Sequence, residues 1–328
     1  MDEVGQARRA RRTWRPGPIT AMAAGAPWLW FLVRGWWVGF DLVAIALPVL
    51  ALGAALALLL VAVAFPAARA AAGVTCASVT LAAASAIVAP WVPQRGTAPT
   101  EPLTFAAANT FLGNLAADRA AAVIIDLDAD VVVTVETSLS ARSYLTLASP
   151  NEVSTPDWRA QVNIWSRWPL VDVEPLSGLL EGYGSRAVVE RPAGAFAVYA
   201  VHLPRPWLTR GASSVPLRDH RRLVDALRVS VEAEALPTVL AGDLNLVDRS
   251  SGYRSLARAL RDAVRSGWTG PTSVKRSLRP FLPRIDHVFV TKEWCAEGGG
   301  RFDVPGSDHR GVVARIGSCR TPAGGGSD

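Results

Sequence analysis

Cysteine is scarce in this chain, with three among 328 residues: Cys76, Cys295 and Cys319. No two of them form a CxxC pair, so the sequence lacks the pattern of a cysteine-rich zinc site. Cys76 lies in an apolar stretch, and the other two lie near the C-terminus. A disulfide between Cys295 and Cys319 requires an oxidising compartment, and the sequence leaves their pairing open.

Charge is almost absent from residues 35–92, where Asp41 and Arg69 are the two charged side chains. Leu42–Phe65 and Ala70–Val92 are uncharged apolar runs, and the first would form a helix about 36 Å long, enough for a bilayer core of about 30 Å. We predict spans at these two runs, and therefore a multi-pass protein of the cell membrane that contacts the lipid bilayer through these helices.

Ile19–Val33 is also apolar, but it is short, interrupted by Pro27 and ended by Arg34. It predicts either a third short span or an interfacial helix. Five arginines precede it: Arg8, Arg9, Arg11, Arg12 and Arg15. The positive-inside pattern places them in the cytoplasm, so two spans return the rest of the chain to the cytoplasm and three place it outside. The sequence leaves the membrane side open. A secretory signal peptide is not indicated, because the long apolar run begins too late.

The remaining chain has the composition of a soluble domain. Residues 1–92 form the basic segment and membrane anchor, and residues 93–102, PQRGTAPTEP, predict a linker. A domain is expected over residues 103–317, followed by a disordered tail at 318–328. The whole chain has a net charge of +6, which suits an anionic partner. Basic and aromatic residues do not interleave as in an RNA-binding motif.

Short apolar runs alternate with helical stretches, which predicts an α/β domain. Strands are expected at Leu103–Ala108, Asp130–Val135, Gln161–Ser166, Ala195–Val201, Pro237–Ala241, Ile285–Val290 and Gly311–Ile316. Helices are expected at Leu115–Asp126, Val215–Ala235 and Ser251–Val264.

Polar side chains stand at six strand edges: Asn109, Glu136, His202, the run Gly242-Asp243-Leu244-Asn245, the pair Asp286-His287, and the run Ser307-Asp308-His309. Rigid sheets aim such side chains into a crevice where ligands bind. His287 fits core packing at least as well as catalysis. His220, the remaining histidine, belongs to the charged run 218–222, which predicts a solvated helix face.

In this order, Asn109, VVVTVETS, SRWPL, AVHLP, GDLN, RIDHVFV and GSDHRGVVA resemble the endonuclease/exonuclease/phosphatase family. That family includes DNase I-like and exonuclease III-like nucleases, neutral sphingomyelinases and inositol polyphosphate 5-phosphatases. The preceding anchor resembles a membrane-bound bacterial subgroup. The resemblance implies two packed mixed β-sheets flanked by helices, a four-layer sandwich, behind N-terminal transmembrane helices.

The resemblance also implies a divalent metal, Mg²⁺ or Mn²⁺. Glu136 would be its principal ligand, with Asn109 beside it and Asp308 as a further contact. Oxygen ligands of this kind suit magnesium.

Five further residues receive catalytic roles by resemblance. His309 would be the general base, oriented by Asp286, and Asp243 would position the nucleophile or serve the leaving group. Asn245 would donate a hydrogen bond to the transition state, and His202 would contact a phosphate oxygen or assist departure.

These expectations together predict a membrane-anchored, metal-dependent phosphoesterase. Its substrate would be nucleic acid, a phospholipid headgroup or a small phosphoester, and no protein partner is implied. The alternative is a catalytically inactive, membrane-tethered scaffold of the same fold. Loss of Glu136, Asp243, Asn245 or His309 would have indicated it, and all four are present.

Overall fold

The computed structural model describes residues 17–154 and 161–319. The five N-terminal arginines and residues 320–328 of the predicted tail therefore lie outside the described residues. Seven α-helices occur in the described part, besides short 3-10 helices: α1 (Pro18–Val33), α2 (Phe40–Ala64), α3 (Arg69–Val88), α4 (Ala117–Asp126), α5 (Leu139–Ala148), α6 (Leu217–Glu232) and α7 (Ser251–Ala259).

The same part contains fourteen strands: β1 (Pro99–Asn109), β2 (Val131–Val135), β3 (Asn151–Ser154), β4 (Val162–Ser166), β5 (Leu170–Pro175), β6 (Gly184–Val189), β7 (Phe196–His202), β8 (Arg205–Trp207), β9 (Ser214–Pro216), β10 (Thr238–Asp243), β11 (Arg261–Asp262), β12 (Asp286–Val290), β13 (Trp294–Asp303) and β14 (Arg310–Cys319).

Two six-stranded mixed sheets form the α/β domain. Their strand orders are β13-β14-β1-β2-β4-β3 and β11-β12-β10-β7-β6-β5, and β8 pairs with β9 separately. The pairs β1–β2 and β7–β10 are parallel, whereas the other neighbours in the two large sheets are antiparallel. The sheets pack face to face through one core, with helices on both outer faces. The predicted two-sheet sandwich flanked by helices is confirmed.

Apolar patterning explains this packing. All five residues of β2 and all six of β10 are buried, as expected for strands covered on both faces. On α6, Leu223, Val224 and Leu227 share one face and pack against the second sheet. His220 lies on the same inner face and is 4% exposed, so the predicted solvated position was wrong for this residue. Helical spacing placed it inward despite its charged neighbours.

The outer ends of β1 and β14 lie beyond the predicted domain boundaries, because strand pairing continues past the apolar residues that the prediction used. β1 begins at Pro99, inside the predicted linker at 93–102, and pairs there with Cys319. β14 correspondingly runs into the predicted tail at 318–328. Cys295 and Cys319 form a disulfide that joins the start of β13 to the end of β14.

Two N-terminal segments, Phe40–Ala64 and Pro66–Trp91, are long and apolar enough to cross a membrane, with mean hydropathies of 2.7 and 1.8. α1 is shorter and packs on α3, where Trp28 Nε1 donates to Ser78 Oγ at 2.9 Å. Ser78 Oγ donates in turn to the carbonyl of Ala24 at 2.6 Å. The three helices therefore form one packed apolar unit ahead of the α/β domain.

Candidate active site

Three polar strand ends lie side by side in the second sheet. β10 runs between β7 and β12, so Asp243 is in register with His202 on one side and with Asp286 on the other. Gly242 makes this close approach feasible. Its φ is +133°, and a Cβ there would lie 2.0 Å from the carbonyl oxygen of Val201.

The first sheet supplies Asn109 and Glu136 to the same place. Asn109 ends β1, and Glu136 follows β2 with a left-handed φ of +52°. Asn109 Nδ2 donates to Glu136 Oε1 at 3.2 Å and to Asp243 Oδ2 at 3.1 Å. His202 Nε2 lies 3.5 Å from Glu136 Oε1. The amide of Asn109 thus joins the polar ends of the two sheets.

His309 completes a buried cluster with two aspartates. Its Nδ1 lies 2.8 Å from Asp286 Oδ2, and its Nε2 lies 3.8 Å from Asp243 Oδ2. Burial alone would lower the pKa of His309, but the charges of Asp286 and Asp243 outweigh it and raise that pKa to about 10. Burial, reinforced by the charge of Asp286, raises the pKa of Asp243.

Asn245 is held by the turn that follows Asp243. It has a φ of +47°, its backbone N–H donates to Asp243 Oδ1 at 2.9 Å, and its Nδ2 donates to the carbonyl of Leu203 at 2.9 Å. His220 supports the same turn, because its Nε2 lies 3.1 Å from the carbonyl oxygen of Leu244. His287 packs in the core, with its Nε2 2.8 Å from the carbonyl oxygen of Leu246. Sequence reasoning missed the supporting role of His220.

Asp308 lies apart from the buried cluster. Its Oδ2 is 3.6 Å from Nζ of Lys275, a residue that the sequence did not single out. Ser307, which precedes it, donates to the carbonyl of Asn109 at 2.7 Å and accepts from the backbone N–H of His309 at 3.0 Å. The SDH run contained this signal, since a serine two residues before a buried histidine can bind its N–H. Lys275 gave no comparable signal.

These groups open into a cavity of about 710 Å³. Glu136, His202, Asp243, Asn245, Asp308 and His309 line its acidic and imidazole side. Arg205, Arg210 and Lys275 also line it, so the cleft offers cationic side chains to an anionic substrate.

The donor set suits a divalent cation that prefers oxygen. Glu136 and Asp243 each place a carboxylate oxygen beside Nδ2 of Asn109, while Oδ1 of Asn109 accepts from the backbone N–H of Phe111 at 3.0 Å. One ligand atom each from Asp243, Asp286 and His309 lies within 4.8 Å of the others. Asp286 Oδ1 is buried without a hydrogen-bond partner among the described residues. Carboxylates left partly unsatisfied in this way fit a cation of the magnesium class.

Comparison with known protein families gives a match over most of the α/β domain. The model of the family described as "Endonuclease/Exonuclease/phosphatase family" matches residues 106–309, more than half of the chain. None of the curated proteins matches the chain.

Solved structures share the fold. An endonuclease/exonuclease/phosphatase from Beutenbergia cavernae DSM 12333 is 24% identical with a TM-score of 0.51, over 68% of this chain and 73% of that one. An endonuclease/exonuclease/phosphatase from Bacteroides vulgatus is 16% identical with a TM-score of 0.55, over 67% and 100%. A functionally unknown conserved protein from Enterococcus faecalis V583 is 15% identical with a TM-score of 0.51, over 66% and 100%.

Proposed function

Because the chain belongs to the endonuclease/exonuclease/phosphatase family, we propose that it is a membrane-anchored, divalent-metal-dependent phosphoesterase. Members of this family are generally metal-dependent hydrolases of phosphoester bonds. One observation carries the proposal. Asn109, Glu136, His202, Asp243 and His309, which come from distant parts of the chain, meet at one end of both sheets and open into a cleft with cationic walls.

Glu136 would hold the cation, and Asn109 would join it through Oδ1 once its amide turned to face Glu136 with that oxygen instead of Nδ2. Asp243 lies on the other side of the amide and would stay free to accept a proton. A bound Mg²⁺ or Mn²⁺ would neutralise phosphoryl charge and stabilise the leaving oxygen. Asp308 is the weaker candidate ligand, because its carboxylate faces Lys275. We place it at the cleft wall, where the Lys275–Asp308 pair would orient substrate.

Asp243 is the proposed proton acceptor for the attacking water. Its raised pKa strengthens it as a base, and it lies beside the cation site. His309, which the sequence suggested as the base, is held protonated by Asp286 and would donate from Nε2 to a phosphoryl oxygen. His202 would contact a second phosphoryl oxygen. Asn245 would fix the turn and offer the second hydrogen of its amide to the substrate.

The α/β domain is proposed to lie outside the cytoplasm. Ile19, Met22, Leu29 and Leu32 of α1 are exposed in the described structure, and lipid would cover them if α1 crosses the bilayer with α2 and α3. Three crossings place the arginine-rich N-terminus and the α/β domain on opposite sides. The Cys295–Cys319 disulfide supports the same side, because disulfides persist in oxidising compartments.

The test uses the full chain in detergent micelles. Hydrolysis of bis-p-nitrophenyl phosphate, p-nitrophenyl phosphate, plasmid DNA and sphingomyelin would be measured with Mg²⁺, with Mn²⁺ and with EDTA. Glu136→Gln and His309→Ala should each abolish turnover, and the preferred substrate identifies the class of phosphoester. Glu174→Gln makes the same chemical change at an exposed site and should leave turnover intact. Metal-independent turnover, or turnover that survives both variants, would rule out this mechanism.

A further inference from the structure

α2 meets the α/β domain through its first two turns. Asp41 and Ala44 are buried there, and α2 contacts the short 3-10 helix Arg279–Phe281 of the α/β domain. The large apolar side chains that follow Pro48 are mostly exposed: Val49, Leu50, Leu52, Leu56, Leu59, Leu60, Val61 and Val63. The helix therefore has a protein-facing start and an apolar remainder suited to lipid.

Pro48 leaves the carbonyl of Ala44 without its helical donor, because proline has no N–H and helical bonds run from residue i to i−4. Arg249 of the α/β domain supplies the missing donor. Its Nε donates to the Ala44 carbonyl, and its Nη2 donates to the Ile45 carbonyl at 3.2 Å. Arg249 is 1% exposed. Burial of a guanidinium is costly without acceptors, so the proline in α2 and this arginine complement each other.

The same guanidinium holds the segment that leads to Asp286. Nη2 of Arg249 donates to the carbonyl of Phe281 at 2.6 Å, and Nη1 donates to that of Leu282 at 3.3 Å. Arg249 itself lies in the loop that follows Asn245. One side chain thus connects α2 to both segments that carry the buried aspartates of the site.

Asp41 forms a second connection. Its Oδ1 accepts from the backbone N–H of Ser251 at 2.6 Å, and its Oδ2 accepts from Ser251 Oγ at 2.7 Å. Ser251 is the first residue of α7, where backbone N–H groups lack helical acceptors and a carboxylate is favoured. The one acidic residue of the apolar region 35–92 therefore has its partner in the α/β domain.

A third contact comes from the end of the anchor. Trp91 Nε1 donates to Asp248 Oδ2 at 3.0 Å, and Arg284 Nε donates to the same oxygen at 3.0 Å. Arg284 stands two residues before Asp286 and also donates to Asp262. The N-terminal helices thus contact the segment that leads to Asp286 in two ways, through Arg249 and through Asp248.

We propose that α2 is a structural part of the active site, with Arg249 and Asp41 as positioning residues. Strand pairing sets the two aspartates side by side, and the docked helix holds in place the loop that follows Asp243 and the segment that precedes Asp286, so turnover depends on α2 being docked. The kinetic part of this inference rests on the proposed phosphoesterase activity.

Pro48→Ala in the full chain, reconstituted in lipid nanodiscs, is the decisive variant. Its new N–H can bond the Ala44 carbonyl and compete with Arg249. Because alanine favours a helix interior over proline, a helix that serves only to anchor the chain predicts a more stable protein with unchanged turnover. The proposal predicts a kcat lower by about tenfold to a hundredfold with little change in KM, as expected for misplaced catalytic groups. Amide hydrogen exchange across residues 278–286 should also become faster.

Arg249→Lys gives an independent variant, since one ammonium cannot reach the carbonyls on both sides. It should lower kcat and raise exchange in the same segment. Pro27→Ala is the matched control in α1, where the nearby carbonyl of Ala24 bonds Ser78 of α3. It should change neither quantity. If residues 278–286 exchange their amide hydrogens at the wild-type rate in both Pro48→Ala and Arg249→Lys, the docking proposal is overturned. This readout does not depend on the hydrolysis of any phosphoester. The absence of all hydrolysis by the wild type would instead overturn the proposed function.

Discussion

Nδ1 of His309 and Oδ2 of Asp286 lie 2.8 Å apart, and both side chains are buried. This contact assigns the Nδ1 proton to the bond with Asp286 and directs Nε2 toward Asp243 and the cleft. Strand pairing also explains how the RIDHVFV and GDLN motifs, which are far apart in the chain, meet at the site. β12 and β10 are antiparallel neighbours, which places Asp286 beside Asp243, while the SDH turn brings His309 over them.

Asp286→Asn should lower kcat by about 10² to 10⁴, the usual contribution of a positioned proton-transfer system. The amide preserves the size of the side chain but removes the charge that holds His309 protonated. Stopped-flow or steady-state hydrolysis in saturating metal would measure the loss. Asp303→Asn changes an exposed aspartate on β13 and serves as the control. A kcat within about twofold of wild type for Asp286→Asn would contradict the assigned role of the His309–Asp286 pair.

Glu136→Gln should weaken the binding of Mg²⁺ by more than about tenfold, because the amide lacks the charge that a hard cation prefers. The increase in Tm on adding Mg²⁺ would measure this without any substrate. Glu152→Gln, on the same sheet but in contact with Arg142 at the surface, should retain the wild-type response. An unchanged Mg²⁺ response in Glu136→Gln would move the cation site to the group of Asp243, Asp286 and His309.

Sequence pattern predicted the strands that contain nearly continuous apolar runs. β2, VVVTV, and the TVLA run of β10 were identifiable in this way, as expected for strands buried on both faces. β5 was missed because most of its side chains are exposed, and β13 because its middle, Gly298–Gly300, has little strand propensity. These strands form through pairing with their neighbours, which local composition does not encode.

The site shows the same division. Polar residues at strand ends were predictable, since a strand fixes where its end points. Two other contacts were not predictable, because they join residues far apart in the chain that meet through tertiary packing: Lys275 with Asp308, and Arg249 with Ala44. Arg249 illustrates this clearly. It stands between Asp248 and Ser250, a polar neighbourhood that gives no sign of burial, and the side chain is buried because it bonds the carbonyl freed by Pro48.

The membrane side can be tested through the disulfide. If the α/β domain lies outside, Cys295 and Cys319 should be oxidised in intact cells and resist alkylation until a reductant is added. Replacing both by serine should cost up to about 3.5 kcal/mol of stability, from the chain entropy of a 24-residue separation. A compartment-sensitive reporter fused after Asp328 provides the independent readout. Free thiols together with a cytoplasmic reporter signal would exclude the outer location and the third span.

Stability should fall in mild acid because of two buried histidines. Burial lowers the pKa of His220 to about 4, and burial followed by the charge of Arg284 lowers that of His287 to about 4. Below the ordinary value of 6.5 the unfolded chain binds protons that the folded chain does not, so each histidine's stabilising contribution is present above pH 6.5 and declines as the pH falls toward 4. Between pH 7.5 and 4.5 the loss of folding stability is about 2 to 3 kcal/mol for each residue.

His220→Gln should therefore be less stable than wild type at pH 7.5 but lose less stability on acidification, by about 2 to 3 kcal/mol. Its amide can still donate to the carbonyl of Leu244, as His220 does. Unfolding of the full chain in detergent, followed at the two pH values, measures the difference. Arg222→Gln, on the exposed face of the same helix, should retain the wild-type acid dependence. If His220→Gln and the wild type lose the same amount of folding stability on acidification, burial under the Asp243–Asn245 turn does not keep His220 neutral.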